Sequence, residues 1–276
     1  MTPLSVLPPD MVVALKLAFR AKIFTLIFYF IIALTVVVLL ATEFSARQLS
    51  TVALDVGLSF IRIVLPLLIV LLVQELFSRD FERKIYLAIL TYPRSRTHWL
   101  ISRVGSIFII ALAALALMAF ILALLTVTVE ARYSQATPIS LGIPYFITLG
   151  FIAVDMLVVL AISTFLAMSA TTTSFVLVGT VGLTMIARSY TPIIELLQGD
   201  PYVVGEHVDP QLYQDSLGLI AFILPDLGRL DVRMIALYDK MIFLPADWML
   251  LLASACIYAL ALFALAAWVL NKREFS

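Results

Sequence analysis

The run Val104-Gly-Ser-Ile-Phe-Ile-Ile-Ala-Leu-Ala-Ala-Leu-Ala-Leu-Met-Ala-Phe-Ile-Leu-Ala-Leu-Leu-Thr-Val-Thr-Val129 holds no charged residue. A helix rises ~1.5 Å per residue, so this run can cross a hydrocarbon core of ~30 Å with some tilt. Similar runs lie on both sides of it. Ile23 to Ala41 is uncharged, Val56 to Val73 is interrupted only by Arg62 and Pro66, and Trp248 to Leu270 is uncharged and opens with a tryptophan suited to the interface. From Met156 to Ala187 no charge occurs until Arg188, which is too long for one crossing. The polar cluster Ser169-Ala-Thr-Thr-Thr-Ser174 predicts a break there. The expected layout is an all-α integral membrane domain over 1–276 with six transmembrane helices, at about 23–41, 56–73, 104–129, 145–167, 171–187 and 248–270.

Composition agrees with lipid as the main solvent. Apolar residues make up 63% of the chain and charged residues 13%, against roughly a quarter charged in a soluble domain. The mean hydropathy is +1.11. With 18 basic and 18 acidic residues, no charge excess points to nucleic acid. Cys256 is the only cysteine, which excludes an internal disulfide and a cysteine-built metal site. His98 and His207 are too few for a histidine metal centre. No cofactor is expected. Lys16, Arg20 and Lys22 precede the first apolar run, but Thr-Glu-Phe-Ser after Ala41 is a poor cleavage site, so that run reads as a retained anchor.

Basic residues set the orientation. With a cytoplasmic N-terminus, the inside carries Lys16, Arg20, Lys22, Arg79, Arg83, Lys84, Arg94, Arg96, Arg103, Lys272 and Arg273. The outside carries Arg47, Arg132, Arg188, Arg229, Arg233 and Lys240. This asymmetry favours both termini inside. Met11 to Lys22 reads as an amphipathic helix in the cytoplasmic interface, with Lys16 and Arg20 one turn apart and Leu15 and Phe19 on a neighbouring face. Arg188 to Asp247 reads as a long outer segment.

The loop Phe77 to Arg103 is the most informative polar stretch. Arg79, Asp80, Glu82, Arg83 and Lys84 form a two-sign cluster, followed by Ile85, Tyr86, Leu87, Ile89 and Leu90, and then by Tyr92-Pro93-Arg94-Ser95-Arg96. Proline ends a helix and restrains the residue before it. The expectation is a short amphipathic helix along the inner face, closed by a rigid basic turn, a shape suited to docking a cytoplasmic partner. The plainer reading is a solvated loop whose arginines serve topology.

From Glu75 to Arg103 the chain resembles the loop between the second and third helices of ABC-2 type permeases. There a charged segment is followed by a Leu-Leu-x-Thr/Ser-Pro-x-Ser-Arg pattern. This chain departs from it with Tyr92 before the proline and Thr91 one place earlier. Ile223-Leu-Pro-Asp-Leu-Gly-Arg-Leu-Asp-Val-Arg233 is similar to the family's outer segment before the last span, and Leu270-Asn-Lys-Arg-Glu-Phe275 to its basic tail. The resemblance implies a permease subunit of an ABC exporter in a bacterial inner membrane, forming a homodimer or a heterodimer with a similar permease and binding an ABC ATPase subunit. It also implies that Glu82, Arg83, Lys84, Tyr86, Leu87, Pro93, Arg94 and Arg96 belong to a coupling helix that contacts the ATPase. The chain has no Gly-x-x-x-x-Gly-Lys-Ser/Thr stretch, so ATP hydrolysis would reside in the partner and not in this chain.

Charges inside a membrane are costly and tend to be functional. Arg62 and Asp155 fall inside spans two and four, and a structural pair between them is the favoured reading, ahead of one of them lining a substrate path. Gly179-Thr-Val-Gly182 and Ala111-Leu-Ala-Ala-Leu-Ala116 permit close helix packing. A stand-alone ion-coupled carrier or channel with Asp155 as the titrating group is the main alternative function. A non-transporting assembly subunit is another. The intramembrane-enzyme motifs His-Glu-x-x-His and Gly-x-Ser-x-Gly do not occur. No residue pattern chooses a substrate.

Overall fold

Hydrocarbon offers no water to satisfy backbone N–H and C=O groups, so an apolar run that enters it must form its own hydrogen bonds as a helix. A computed structural model of the chain follows that rule. It describes residues 11, 13, 16, 22–45, 48–78, 96–131, 139, 141–170, 172–199 and 225–272, leaving aside the side chains of 190–199. The described residues form helices and turns with no strand. The helices are α1 (Ile23–Glu43), α2 (Leu49–Val73, continued by a π-helical turn, Gln74–Ser78), α3 (Arg96–Glu130), α4 (Ile143–Ser169), α5 (Thr173–Gly199), the short α6 (Met234–Tyr238) and α7 (Trp248–Lys272).

Among the described residues, five helical stretches are long and apolar enough to cross a membrane: α1, α2 with its π-turn as far as Phe77, α3, α4 and α7. The fifth run of the sequence reading is also helical, but its apolar part, Thr173–Ser189, is shorter than these. The break between the fourth and fifth runs falls inside the expected polar cluster. Ala170 is extended (φ −79°, ψ 155°) and its N–H still bonds Leu166 O at 2.8 Å. Three boundaries differ markedly from the sequence reading, the largest being the end of α5, which runs on to Gly199 rather than stopping near Ala187. Helix α2 starts at Leu49 rather than near Val56, so Asp55 is helical. Helix α3 starts at Arg96 rather than near Arg103. At ~1.5 Å per residue its 35 residues span about 52 Å, more than the hydrocarbon core.

Helices α2 and α4 form the centre and α1 and α7 the flanks. Helix α1 packs on α2 and α3 through Ile23, Ile27, Leu34 and Val38, spaced on one helical face, while Phe28, Tyr29, Ile32 and Leu40 are exposed. Helix α7 packs mainly on α4 and exposes Leu250, Ile257, Leu260 and Trp268. Such exposed apolar faces suit lipid. Gly57 marks a close approach of α2 and α3: a Cβ there would lie 2.1 Å from Leu122 Cδ1. At Gly179 a Cβ would lie 3.1 Å from Leu166 Cδ1 of α4, whereas at Gly182 it would meet nothing within 4 Å, so only the first of the two glycines marks a close helix contact.

Several hydroxyls inside the spans are absorbed locally, although those of Thr164 and Thr180 are buried without a hydrogen-bond partner among the described residues. Thr126 bonds Leu122 O (2.7 Å), Ser106 bonds Ser102 O (2.7 Å) and Thr148 bonds Pro144 O (3.0 Å). This back-bonding to the preceding turn lets a polar side chain sit in an apolar span without a partner on another helix. At the start of α1, Lys22 adopts a left-handed conformation (φ 58°), so the chain turns sharply before entering the first span. Of the expected interfacial helix, Met11, Val13 and Lys16 are helical, and Met11 O lies 3.4 Å from the Ser106 hydroxyl oxygen. Leu15, Phe19 and Arg20 lie outside the described residues.

Candidate functional site

Pro66 has no N–H, so the carbonyl of Arg62, one turn earlier, loses its ordinary helical partner. Arg188 of α5 supplies the replacement, its Nη1 donating to Arg62 O at 2.9 Å. The same guanidinium reaches the carboxylate of Asp155 on α4 through Nη2. A helix irregularity in α2 is thus closed by a cation that also pairs a buried carboxylate. Asp155 itself is 1% exposed.

Arg62 stands between two carboxylates. Its Nε lies 3.6 Å from Asp155 Oδ2, its Nη1 contacts Asp231 Oδ2, and its Nη2 donates to Leu227 O at 2.6 Å. The last two partners come from the stretch before α6, which folds back onto the bundle. Leu227, Leu230, Val232, Ile235, Ala236 and Leu237 are buried there, and α6 packs on α4 and α2. From the same stretch Arg233 pairs with Asp231 (3.4 Å) and Asp55 (3.1 Å) and contacts the Ser59 hydroxyl. Six charges from α2, α4, α5 and the returning stretch make one network: Arg62, Arg188 and Arg233 against Asp55, Asp155 and Asp231. It is neutral as a whole, and a buried charge is tolerable only when paired in this way. Three of its buried polar atoms, Asp155 Oδ1, Arg62 Nε and Arg188 Nε, have no hydrogen-bond partner among the described residues.

The opposite end of the bundle is built differently. Arg103 of α3 donates to Leu76 O in the π-turn, and its guanidinium lies 4.8 Å from the centre of the Trp99 ring. Trp99 meets Phe77 edge-on at 5.4 Å. Gln74 donates to Thr173 O (2.9 Å), joining the end of α2 to the start of α5. Arg96 donates to Leu270 O (3.2 Å) and Asn271 O (3.3 Å), the last carbonyls of α7. Helix C-termini leave carbonyls unsatisfied and carry partial negative charge, which Arg103 and Arg96 answer; the Gln74 acceptor, Thr173 O, lies instead at the first residue of α5. The two flanks of the 79–95 connection are therefore fastened to each other and to the rest of the bundle.

The structure brings Arg62 and Asp155 together, but the carboxylate's closer cation is Arg188, which the sequence reading placed in an outer loop. Arg96 lies at the foot of α3. Glu82, Arg83, Lys84, Tyr86, Leu87, Pro93 and Arg94 fall outside the described residues. Sequence reasoning also missed Asp231, Arg233 and Asp55 as partners. Among the described residues, no three His, Cys, Asp or Glu side chains converge as a metal site would need. No protein-family model and no curated protein sequence matches the chain.

Proposed function

We propose that the chain is the membrane-spanning permease subunit of an ABC exporter, with ATP hydrolysed by a separate ATPase subunit. The observation that carries this reading is the bracing of the two flanks of 79–95. Arg103 on Leu76 O, and Trp99 on Phe77, hold the end of α2 and the start of α3 as one platform. A segment anchored at both ends on a stiff platform can pass a push from a bound ATPase into α2 and α3, whereas a loop serving topology alone needs no such anchorage. The sequence of 79–95, with its charged start, apolar middle and Pro93, supports an amphipathic coupling helix there. Glu82, Arg83 and Lys84 form its rim, Tyr86 and Leu87 its anchor, and Arg94 and Arg96 its basic exit.

In this reading α5 is the sixth crossing. Its 27 residues would reach about 40 Å at ~1.5 Å per residue, and Arg188, which ends its apolar part, is neutralised by Asp155. Both termini are cytoplasmic, the subunit works as a dimer with itself or a similar permease, and the membrane is a bacterial inner membrane. Cysteines at Ser134 and Gln214 in a Cys256→Ala background should be labelled from outside, and one at Ser95 or Ser276 only from inside.

The test is ATPase association. Replacing Tyr86 and Leu87 with serine should abolish ATPase pull-down and transport-linked hydrolysis in reconstituted membranes, with insertion and folded yield unchanged. Reversing Glu82 or Arg83 should weaken association in a salt-dependent way. Full binding and turnover in the Tyr86/Leu87 variant would remove the reading. The second reading, an ion-coupled carrier, draws on the buried Asp155 and its unpartnered Oδ1. It requires ion-gradient-driven flux by the chain alone, without any ATPase.

A further inference from the structure

The six-charge network divides cleanly into two groups. The bundle contributes Asp55 and Arg62 from α2, Asp155 from α4 and Arg188 from α5, two of each sign. The returning stretch contributes Asp231 and Arg233, one of each sign, and its other charges within 225–238, Asp226 and Arg229, also balance. Each group is neutral alone. A fixed structural plug has no need of this, because the network as a whole would balance however the charges were distributed. It matters if the two groups part, since separation then leaves neither side with a net buried charge, the condition that makes breaking a buried pair so costly.

The unpartnered atoms fit the same division. With the stretch in place, Arg62 spends Nη1 on Asp231 and Nη2 on Leu227 O, leaving its Nε beside Asp155 without a hydrogen bond. Asp155 spends Oδ2 on Arg188 and keeps Oδ1 free, although the residue is 1% exposed. Arg62 Nε is already 3.6 Å from that carboxylate. If Asp231 and Leu227 withdrew, Arg62 could close on Asp155, which would then hold Arg62 and Arg188 on its two oxygens. Asp55 would lose Arg233, but its side chain is 45% exposed and solvent can replace the partner at small cost.

We propose that 225–238 is a lid that opens as a unit over α2, latched by Asp231 on Arg62 and by Arg233 on Asp55 and Ser59, with Asp155 as the second seat that receives Arg62 when the lid leaves. The buried Leu227, Leu230, Val232, Ile235 and Leu237 set how rarely the lid opens, and the two ion-pair contacts set its register on α2. This inference stands apart from the exporter reading, since it concerns the chain alone.

The experiment uses the full-length chain, purified in detergent, with Cys256→Ala and one reporter thiol. Ala236→Cys reports the lid and Ala259→Cys, in the middle of α7, reports the bundle; both alanines are 0% exposed. A buried thiol reacts with a maleimide only through the opened population, so its rate reads that population. Asp231→Asn should speed labelling at position 236 by at least about tenfold, the shift that loss of one charge-assisted contact produces. Labelling at 259 and the folded yield should not change. Arg233→Gln, as a second unlatching variant, should also speed labelling at 236 and spare 259. An unchanged rate at 236 in both variants overturns the latch. Faster labelling at both reporters, or a folded yield in Asp231→Asn as low as in Asp155→Asn, overturns the separable lid and makes the stretch a fixed part of the core.

Discussion

In the contacts between described residues, charges meet charges at the Trp248 end of the bundle, and at the Lys272 end they meet backbone carbonyls. Arg62, Arg188 and Arg233 each contact a carboxylate on another element. Arg103 and Arg96 donate to Leu76 O, Leu270 O and Asn271 O, and Gln74 to Thr173 O. The difference follows from where the side chains stand on their helices. Arg62, Asp155 and Arg188 project from helix interiors, where the backbone is already bonded to itself, so their partners are opposite charges, the carbonyl freed by Pro66 and a carbonyl of the returning stretch, Leu227 O. Arg103 and Arg96 face helix ends, where unsatisfied carbonyls and the negative pole of the dipole are waiting. The two ends should therefore fail differently: the first by stranding a charge, the second by loosening a joint.

The largest effect is expected at Asp155. Asp155→Asn leaves Arg188 without its carboxylate and deprives Arg62 of a neighbour, a loss of about 3–5 kcal/mol for breaking a buried pair from one side. Folded yield by size exclusion should fall steeply. The geometry also ranks the rescuers. Because Arg188 contacts Asp155 while Arg62 stands 3.6 Å off, Arg188→Gln should restore more yield in the Asp155→Asn background than Arg62→Gln does. Equal rescue by both would dissolve that ranking, and no rescue by either would break the comparison at its first term.

Arg103 tests the second term. Removing it forfeits the charged hydrogen bond to Leu76 O and the Trp99 contact, worth about 2–3 kcal/mol together. Arg103→Ala should lower the thermal midpoint without a collapse in yield, and Arg103→Lys should recover only part of the loss because an ammonium lacks the flat fork. If Asp155→Asn and Arg103→Ala behave alike, the two ends are not chemically distinct.

Much of the fold was legible because lipid makes an uncharged run an almost unambiguous helix. The break at 169–174 was legible too, since a polar cluster is the one place where a long apolar run can turn. Arg188 was missed because it directly follows the last apolar residue, Ala187, and so looked like the start of a loop. A signal was present: Asp155 and Arg188 lie 33 residues apart on either side of that break and at similar distances from it, which puts them at one depth in an antiparallel pair. Pro66, one turn after Arg62, was a second, because it announced a carbonyl in need of a donor. The return of 225–238 onto the bundle was not legible. Its apolar residues, Leu227, Leu230, Val232 and Ile235, are spaced too irregularly to name a period, and only the tertiary fold tells which carboxylate faces Arg62.

A smaller effect sets the apolar scale between the two ends. Gly57→Ala forces a Cβ against Leu122, whose Cδ1 lies 2.1 Å from that position. Overpacking of this kind costs about 1–3 kcal/mol. Leu122 is fully buried, so its side chain has little room to swing away. Leu122→Val in the Gly57→Ala background should recover part of the thermal midpoint, a coupling that a double-mutant cycle reads directly. Additive losses would show that α2 and α3 relax apart and that the contact does not set their spacing.

The smallest effect belongs to an exposed ion pair at the Trp248 end, outside the buried network. Arg229 Nη2 bonds both oxygens of Asp247, at 2.7 and 2.9 Å, just before α7 begins. The hydrogen bond from Arg229 holds the Asp247 carboxyl below its ordinary value, so folding favours the ionised form. A carboxyl whose pKa is depressed by folding adds stability above its unfolded value and loses that contribution as pH falls through the depressed, folded value. The pair is 41% and 42% exposed, so water and salt screen it and its contribution is slight. The gap in thermal midpoint between the parent and Asp247→Asn should therefore be small at neutral pH, shrink with added salt, and close as the pH drops below the usual aspartate range. The same titration on Asp155→Asn should leave its much larger gap insensitive to salt, because that carboxylate is buried. A gap at Asp247 that widened in acid would reverse the sign of the linkage, and one as salt-resistant as that at Asp155 would mean that the Arg229 pair is not held by solvent-exposed electrostatics.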